Sequence, residues 1–232
     1  MGRSLPWYYP LIMLASVAVA IVLSRRERLG IGLGAFCGAM IAAKLPFVLA
    51  DWEGLLSGRA WLENGKTIVF GIAGGYFGVE LAKALLGVRV KTGDSFAVPV
   101  AAALAIGRLG CFAAGCCHGT VTAASWAVDF GDGLRRHPTQ LYESAFHLAA
   151  SLVLAWLMRQ GVLRGQLIKL YLITYLIYRF LTEFIRPEPV LAFGLTGYQW
   201  ACLALIPVFL ALWARDAQAS VRGKAGVAAR VG

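Results

Sequence analysis

Residues 101–119 read AAALAIGRLGCFAAGCCHG. The first half is apolar enough for a membrane span, yet Arg108 sits inside it, followed by Cys111, Cys116, Cys117 and His118. An ionised side chain at bilayer depth costs about 2.5–3.5 kcal/mol on insertion scales, so an arginine kept there points to a function. The rest of the chain supports a membrane setting. Of 232 residues, 59% are hydrophobic and only 15% charged, and the mean hydropathy is +0.69. Such a composition indicates an integral membrane protein rather than a soluble domain.

Seven apolar segments approach the roughly 20 residues that a spanning helix needs. They lie near 7–24, 31–50, 67–87, 96–116, 141–158, 167–185 and 195–214. The expected fold is therefore an all-α integral membrane protein of about seven transmembrane helices, one transmembrane domain over residues 1–232. Lys and Arg set its orientation. With the N-terminus outside, Arg25, Arg26, Arg28, Arg89, Lys91, Arg159, Arg164, Lys169, Arg215, Arg222, Lys224 and Arg230 fall on the cytoplasmic side. Only Arg3, Arg59, Lys66, Arg135, Arg136 and Arg186 fall outside, while Lys44, Lys83, Arg108 and Arg179 lie in or at the ends of spans. Twelve against six predicts N-out and C-in, with 215–232 a cytoplasmic basic tail. The net charge of +10 thus reads as a topology signal and an attraction to anionic lipid, not as nucleic-acid binding. The opening hydrophobic run flows into RRER, a stop-transfer-like flank, so it is expected to stay as a helix rather than be cleaved. Pro6 stands where an N-myristoylation signal needs Ser or Thr.

Glycines at Gly30, Gly34 and Gly38, and the pairs Gly71–Gly75 and Gly74–Gly78, have the small-xxx-small spacing of close helix packing. The polar residues are more informative. In YLITYLIYRFLTEFIRPEP, residues 171–189, Tyr175, Arg179, Glu183 and Arg186 share one helical face. Arg179 and Glu183 are spaced to pair, whereas Arg108 has no acid nearby in sequence. Two intramembrane arginines suit a lipid phosphate, because guanidinium forks match phosphate oxygens. In RRHPTQLYESA, residues 135–145, Pro138 fits a helix start, and Gln140 and Glu143 share one side. That segment should face protein or a polar cavity.

GRLGCFAAGCCHG, RHPTQLYE and YRFLTEFIR, in this order, resemble the bacterial prolipoprotein diacylglyceryl transferase family. IAGGYFG is similar to that family's third-helix HGG segment, WYY at 7–9 to its first-helix aromatic motif, and TGYQW at 196–200 to its last-helix Gly-Gln element. The resemblance implies transfer of the diacylglyceryl group of phosphatidylglycerol to a cysteine thiol, with release of glycerol phosphate. It implies phosphate and catalytic roles for Arg108 and Arg179, and important acids at Glu143 and Glu183. Tyr8 and Tyr175 match family tyrosines; His137, Gln140 and Tyr142 match the rest of the signature. Arg186, Cys111 and Gln199 complete the expected substrate-binding set.

The chain departs from the family pattern in four places. Ala73 replaces the HGG histidine, Cys111 replaces the asparagine of Gly-Asn-Phe, Cys116 replaces an acid, and the loop from Thr120 to Arg136 is short. Cys37 and Cys202 read as packing. For Cys111, Cys116, Cys117 and His118, four readings stay open: packing, a disulfide, soft-metal binding, or thiol chemistry with Cys116 as thiolate and His118 as base. The catalytic expectation takes Cys116 and His118 with the arginines and glutamates, and calls for no cofactor and no metal ligand. The expected protein is a multi-pass transferase of the bacterial cytoplasmic (inner) membrane. Its partners are a phosphatidylglycerol-like phospholipid and a protein or small-molecule acceptor. A non-catalytic lipid-binding, lipid-translocating or soft-metal-carrying homologue is the alternative.

Overall fold

The computed structural model describes residues 8–23, 29–63, 65 and 67–231. Arg3, Trp7, Arg25, Arg26, Arg28 and Lys66 lie outside the described residues, as do the side chains of Arg222, Lys224 and Arg230. The elements run α1 (Tyr9–Leu23), α2 (Leu29–Ala50), α3 (Trp52–Ser57), α4 (Ala60–Glu63), α5 (Ile68–Leu85), α6 (Gly93–Ala113), β1 (Val128–Asp129), β2 (Arg135–Arg136), α7 (Thr139–Gln160), α8 (Leu167–Thr182) and α9 (Gly197–Val231). Short 3-10 turns occupy Glu183–Ile185 and Ala192–Gly194.

Each expected apolar segment contains a helix within the described residues. Among the described residues, five are long and apolar enough to cross a membrane: Leu29–Leu49, Ile68–Leu85, Gly93–Ala113, Thr139–Gln160 and Gly197–Ala219. Tyr9–Val22 is a shorter apolar helix, and α8 has 16 residues. The protein is an all-α integral membrane protein with one small β-hairpin.

Three boundaries differ from the sequence reading, and two short helices are added to it. The helix expected over 96–116 stops at Ala113, because Gly115 at φ +66° turns the chain back. The face expected from Tyr175 to Arg186 is helical only through Thr182. Glu183 starts a 3-10 turn, and Arg186, which precedes Pro187, is extended at φ −111° and ψ 147°, as a residue before proline prefers. The segment expected as a basic tail continues α9 to Val231, in keeping with its Ala and Arg content. Lastly, α3 and α4 occupy the stretch between the spans expected over 31–50 and 67–87; Asp51 Oδ1 caps α3 by accepting from Gly54 N at 2.9 Å.

The chain divides into two compact units, Arg25–Lys91 and the combination of Met1–Ser24 with Thr92–Gly232. In the first, α2 and α5 interlock through glycine. A Cβ at Gly34 would stand 2.7 Å from the Gly78 carbonyl oxygen, and one at Gly38 would stand 2.9 Å from the Gly78 Cα. The sequence ridge of Gly34, Gly38, Gly74 and Gly78 is thus a backbone-to-backbone contact. Ala73 is buried on α5.

In the second unit, α7 shows how the chain meets lipid. Gln140, Glu143, Ser144, His147, Ser151 and Leu154 form its buried stripe, while Leu148, Leu152, Val153 and Trp156 are exposed. Polar groups face inward and apolar ones outward, the arrangement a bilayer favours. Ser144 Oγ donates to Ala105 O on α6 at 2.8 Å, and Ser16 Oγ of α1 donates to Ala103 O at 2.6 Å. At the opposite end Asp94, in the first turn of α6, caps α8 by accepting from Gly165 N at 2.5 Å and Leu167 N at 3.0 Å. Lys169 there pairs with Asp216 at 2.9 Å. These ties align the helices so that the end of α6, the start of α7, the end of α8 and the start of α9 converge.

Candidate active site

That convergence gathers the expected polar residues. Arg108, one turn before the end of α6, places Nη2 at 2.6 Å from both carboxylate oxygens of Glu143, in the first turns of α7. Tyr175 of α8 donates its hydroxyl to the same Glu143 Oε1 at 2.6 Å. All three side chains are buried. Arg179, one turn further along α8, pairs with Glu183 at 2.7 Å and lies 4.8 Å from the centre of the Tyr198 ring. Glu183 also accepts from Thr196 Oγ1 at 3.0 Å. Glu143 is within electrostatic reach of Arg108 and Arg179 alike. The acid that Arg108 lacks in sequence is therefore supplied by α7.

The two arginines are held differently. Arg179 is engaged by a carboxylate and a ring face, whereas Arg108 Nε is buried with no hydrogen-bond partner among the described residues. An unsatisfied buried donor costs about 1–3 kcal/mol, so its retention points to a ligand that supplies an acceptor.

Around this core the other expected residues fall into four groups. Gln140 Nε2 donates to Cys116 O at 2.5 Å, and Arg186 Nη1 donates to Cys117 O at 3.0 Å and to Thr139 Oγ1 at 3.3 Å. These two therefore pin the loop after α6. His137 Nδ1 lies 3.3 Å from Tyr142 Oη, which accepts from Trp126 Nε1 at 2.6 Å. Gln199 braces α9: its Oε1 accepts from Thr196 N at 2.9 Å and its Nε2 donates to Phe180 O at 3.3 Å. Tyr8 precedes α1, its carbonyl accepting from Ile12 N, with 40% of its surface exposed.

The loop carrying Cys116, Cys117 and His118 is ordered by backbone bonds. Gly119 N donates to His137 O at 2.8 Å, and Thr120 N to Ile185 O at 2.9 Å. Only glycine fits at 119, because a Cβ would meet Ile185 O at 2.6 Å and His137 Cβ at 2.8 Å. His118 stacks on Phe130, with centroids 5.2 Å apart, and its Nδ1 lies 3.3 Å from Gly119 O. The surroundings disfavour a thiolate at Cys116 and favour one at its neighbour. Hydrogen bonds with Cys111 and Cys117 push the Cys116 thiol up. Those from Cys111 and Cys116, helped by Arg108 and Arg186, hold Cys117 well below the usual thiol range. Tyr9, next to the expected Tyr8, is the tyrosine within electrostatic reach of all three cysteines.

Sequence reasoning missed His147. It is fully buried one turn past Glu143, with Nε2 3.8 Å from Glu143 Oε1 and Nδ1 2.8 Å from Tyr171 Oη. Its ring also lies 4.9 Å from that of Tyr175. The signal was present as Glu-x-x-x-His on a stripe of polar residues. Tyr198 and Thr196 were missed as well, although both lie in the quoted TGYQW segment.

Apolar helices closing over a buried set of arginines, carboxylates and tyrosines define a polytopic membrane protein equipped to hold an anionic group. A family model described as prolipoprotein diacylglyceryl transferase matches residues 4–215, so the chain belongs to that family and is a membrane-bound transferase. A phosphatidylglycerol–prolipoprotein diacylglyceryl transferase of Clostridium tetani (strain Massachusetts / E88) is 29% identical over 207 residues, covering 81% of this chain and 83% of that protein. The protein of the same name from Bordetella parapertussis (strain 12822) is 32% identical over 199 residues, covering 77% and 70%. That of Cupriavidus necator (strain H16) is 33% identical over 202 residues, covering 80% and 71%.

Proposed function

We propose that this protein transfers the diacylglyceryl group of a phosphatidylglycerol-like phospholipid to a thiol acceptor, on a prolipoprotein or a smaller molecule, at the bacterial cytoplasmic membrane. Residues 1–232 act as one transmembrane domain, N-terminus outside, with the site toward the outer face. The observation that carries the reading is Arg108: buried, steadied by Glu143, and with Nε left to meet an acceptor such as a phosphate oxygen.

Arg108 and Arg179 hold the phosphate, and Glu143 and Glu183 keep each guanidinium oriented. The acceptor sulfur attacks the glyceryl carbon that bears the phosphate. A carbon–sulfur bond forms, the carbon–oxygen bond breaks, and its electron pair leaves on glycerol phosphate. The two arginines stabilise that departing charge. The thiol proton passes to a basic group at the site, for which Glu143 and Glu183 are the candidates.

The test uses the full chain in nanodiscs containing phosphatidylglycerol, with a lipobox-cysteine peptide as acceptor and mass spectrometry of the thioether product. Arg108→Ala and Arg179→Ala should each reduce transfer by about 100-fold or more, the scale of losing a preorganised charge-stabilising donor. Lysine should restore little at Arg108, since it lacks the bidentate fork. Wild-type rates in folded Arg108→Ala would overturn the phosphate-site reading.

A further inference from the structure

The transfer described above makes no use of three thiols, that of Cys111 in the last turn of α6 and those of Cys116 and Cys117 in the loop after it. The Sγ atoms of Cys111, Cys116 and Cys117 lie within 4.8 Å of one another, and all three cysteines are free. The backbone brings them together. After α6 ends, Gly115 turns left-handed, Cys116 N returns to Cys111 O at 3.1 Å, and Cys117 itself adopts φ +60°. A left-handed conformation at a residue bearing a Cβ is strained and persists where its surroundings enforce it. Here they do so through carbonyls. Gln140 clamps Cys116 O, while Thr139 Oγ1, at 2.8 Å, and Arg186 clamp Cys117 O. Every clamp from Gln140, Thr139 and Arg186 acts on the backbone; among the described residues the thiols bond only within the cluster, Cys116 Sγ donating to Cys111 O at 3.6 Å.

We propose that Cys111, Cys116 and Cys117 form a three-thiolate site for one thiophilic metal ion. With a metal–sulfur bond of about 2.3 Å, a trigonal or tetrahedral ion holds its sulfurs about 4 Å apart. The observed grouping reaches that spacing with only a small contraction. An all-sulfur donor set selects soft or borderline ions such as Cu(I), Zn2+ or Cd2+ over Mg2+ and Ca2+. Each thiol releases its proton to solvent as its metal bond forms. A divalent ion on three thiolates leaves one net negative charge, and Arg108 and Arg186 lie within electrostatic reach of Cys117 to offset it. The site adjoins the arginine cluster but needs no phospholipid, so it stands or falls apart from the transferase reading.

The probe is Cd2+, titrated into the reduced full-length protein in nanodiscs without phosphatidylglycerol. Thiolate-to-cadmium charge-transfer absorption should rise and saturate at one equivalent. That saturation should be lost in Cys111→Ser, Cys116→Ser and Cys117→Ser and kept in the Cys37→Ser/Cys202→Ser double variant. Wild-type protein provides a check independent of variant folding: Cd2+ should protect the three thiols from maleimide together, as read by peptide mass spectrometry. Saturation that survives Cys111→Ser, protection of Cys116 and Cys117 alone, or no saturable absorption in reduced wild type would each overturn the proposal.

Discussion

Arg108 and Glu143 stand 35 residues apart in sequence and meet at 2.6 Å inside the helical unit, where both are almost wholly buried. Each neutralises the other, and Tyr175 takes a further share of the carboxylate. Removing one member of a buried ion pair leaves the other charge uncompensated, at a cost of about 3–5 kcal/mol. Glu143→Leu should therefore lower the thermal midpoint markedly. Arg108→Met combined with Glu143→Leu should recover most of that stability while staying inactive. Measuring both by unfolding in nanodiscs separates the pair's structural cost from its role at the site. A double variant as unstable as the single would contradict this account of the pair.

His147 lies between Glu143, whose Oε1 is 3.8 Å from its Nε2, and Tyr171, whose hydroxyl its Nδ1 meets at 2.8 Å. We expect it to position Glu143. His147→Leu should leave the Tyr171 hydroxyl without its buried partner and cost about 1–3 kcal/mol. Adding Tyr171→Phe should return part of that loss, because both polar ends are then gone. In transfer assays His147→Leu should lower kcat more than it raises KM, and His147→Gln should restore activity in part. An unchanged kcat would remove His147 from the site.

The α2–α5 contact gives a controlled test of glycine packing. Gly38→Val places a side chain against the Gly78 Cα and should force the helices apart, which partial proteolysis and lowered thermal stability would report. At Gly32 nothing lies within 4 Å of an added Cβ. Gly32→Ala should thus be neutral or stabilise by up to about 1 kcal/mol through helix propensity. Equal damage from the two changes would show that these glycines do not act through close approach.

Orientation rests on positive charge. A reporter inserted between Gly131 and Gly133, in the exposed hairpin turn held by Asp129 Oδ1, should be accessible from outside. One placed after Arg230 should be cytoplasmic. The reverse pattern would move the arginine site to the inner face.

Local composition and period were enough to reveal part of this architecture. Lengths of apolar chain placed α1, α2, α5, α6, α7, α8 and α9, and the spacing of Gly34 with Gly38 and Gly74 with Gly78 announced a close contact. Arg108, Arg179, Glu143 and Glu183 stood out because charge at membrane depth is costly wherever the chain goes. The i, i+4 spacing of Arg179 and Glu183 even predicted their pairing. Partners brought by different helices emerge only from the folded arrangement. That Arg108 belongs to Glu143, that Arg179 faces Tyr198, and that His147 lies under Glu143 depend on how α6, α7, α8 and α9 converge, which no local pattern encodes. Cys111, Cys116 and Cys117 show the same division at short range. Their closeness in sequence was plain, but the gathering of their sulfurs required Gly115 and Cys117 to turn left-handed, and that turn is enforced by Gln140, Thr139 and Arg186 from other segments.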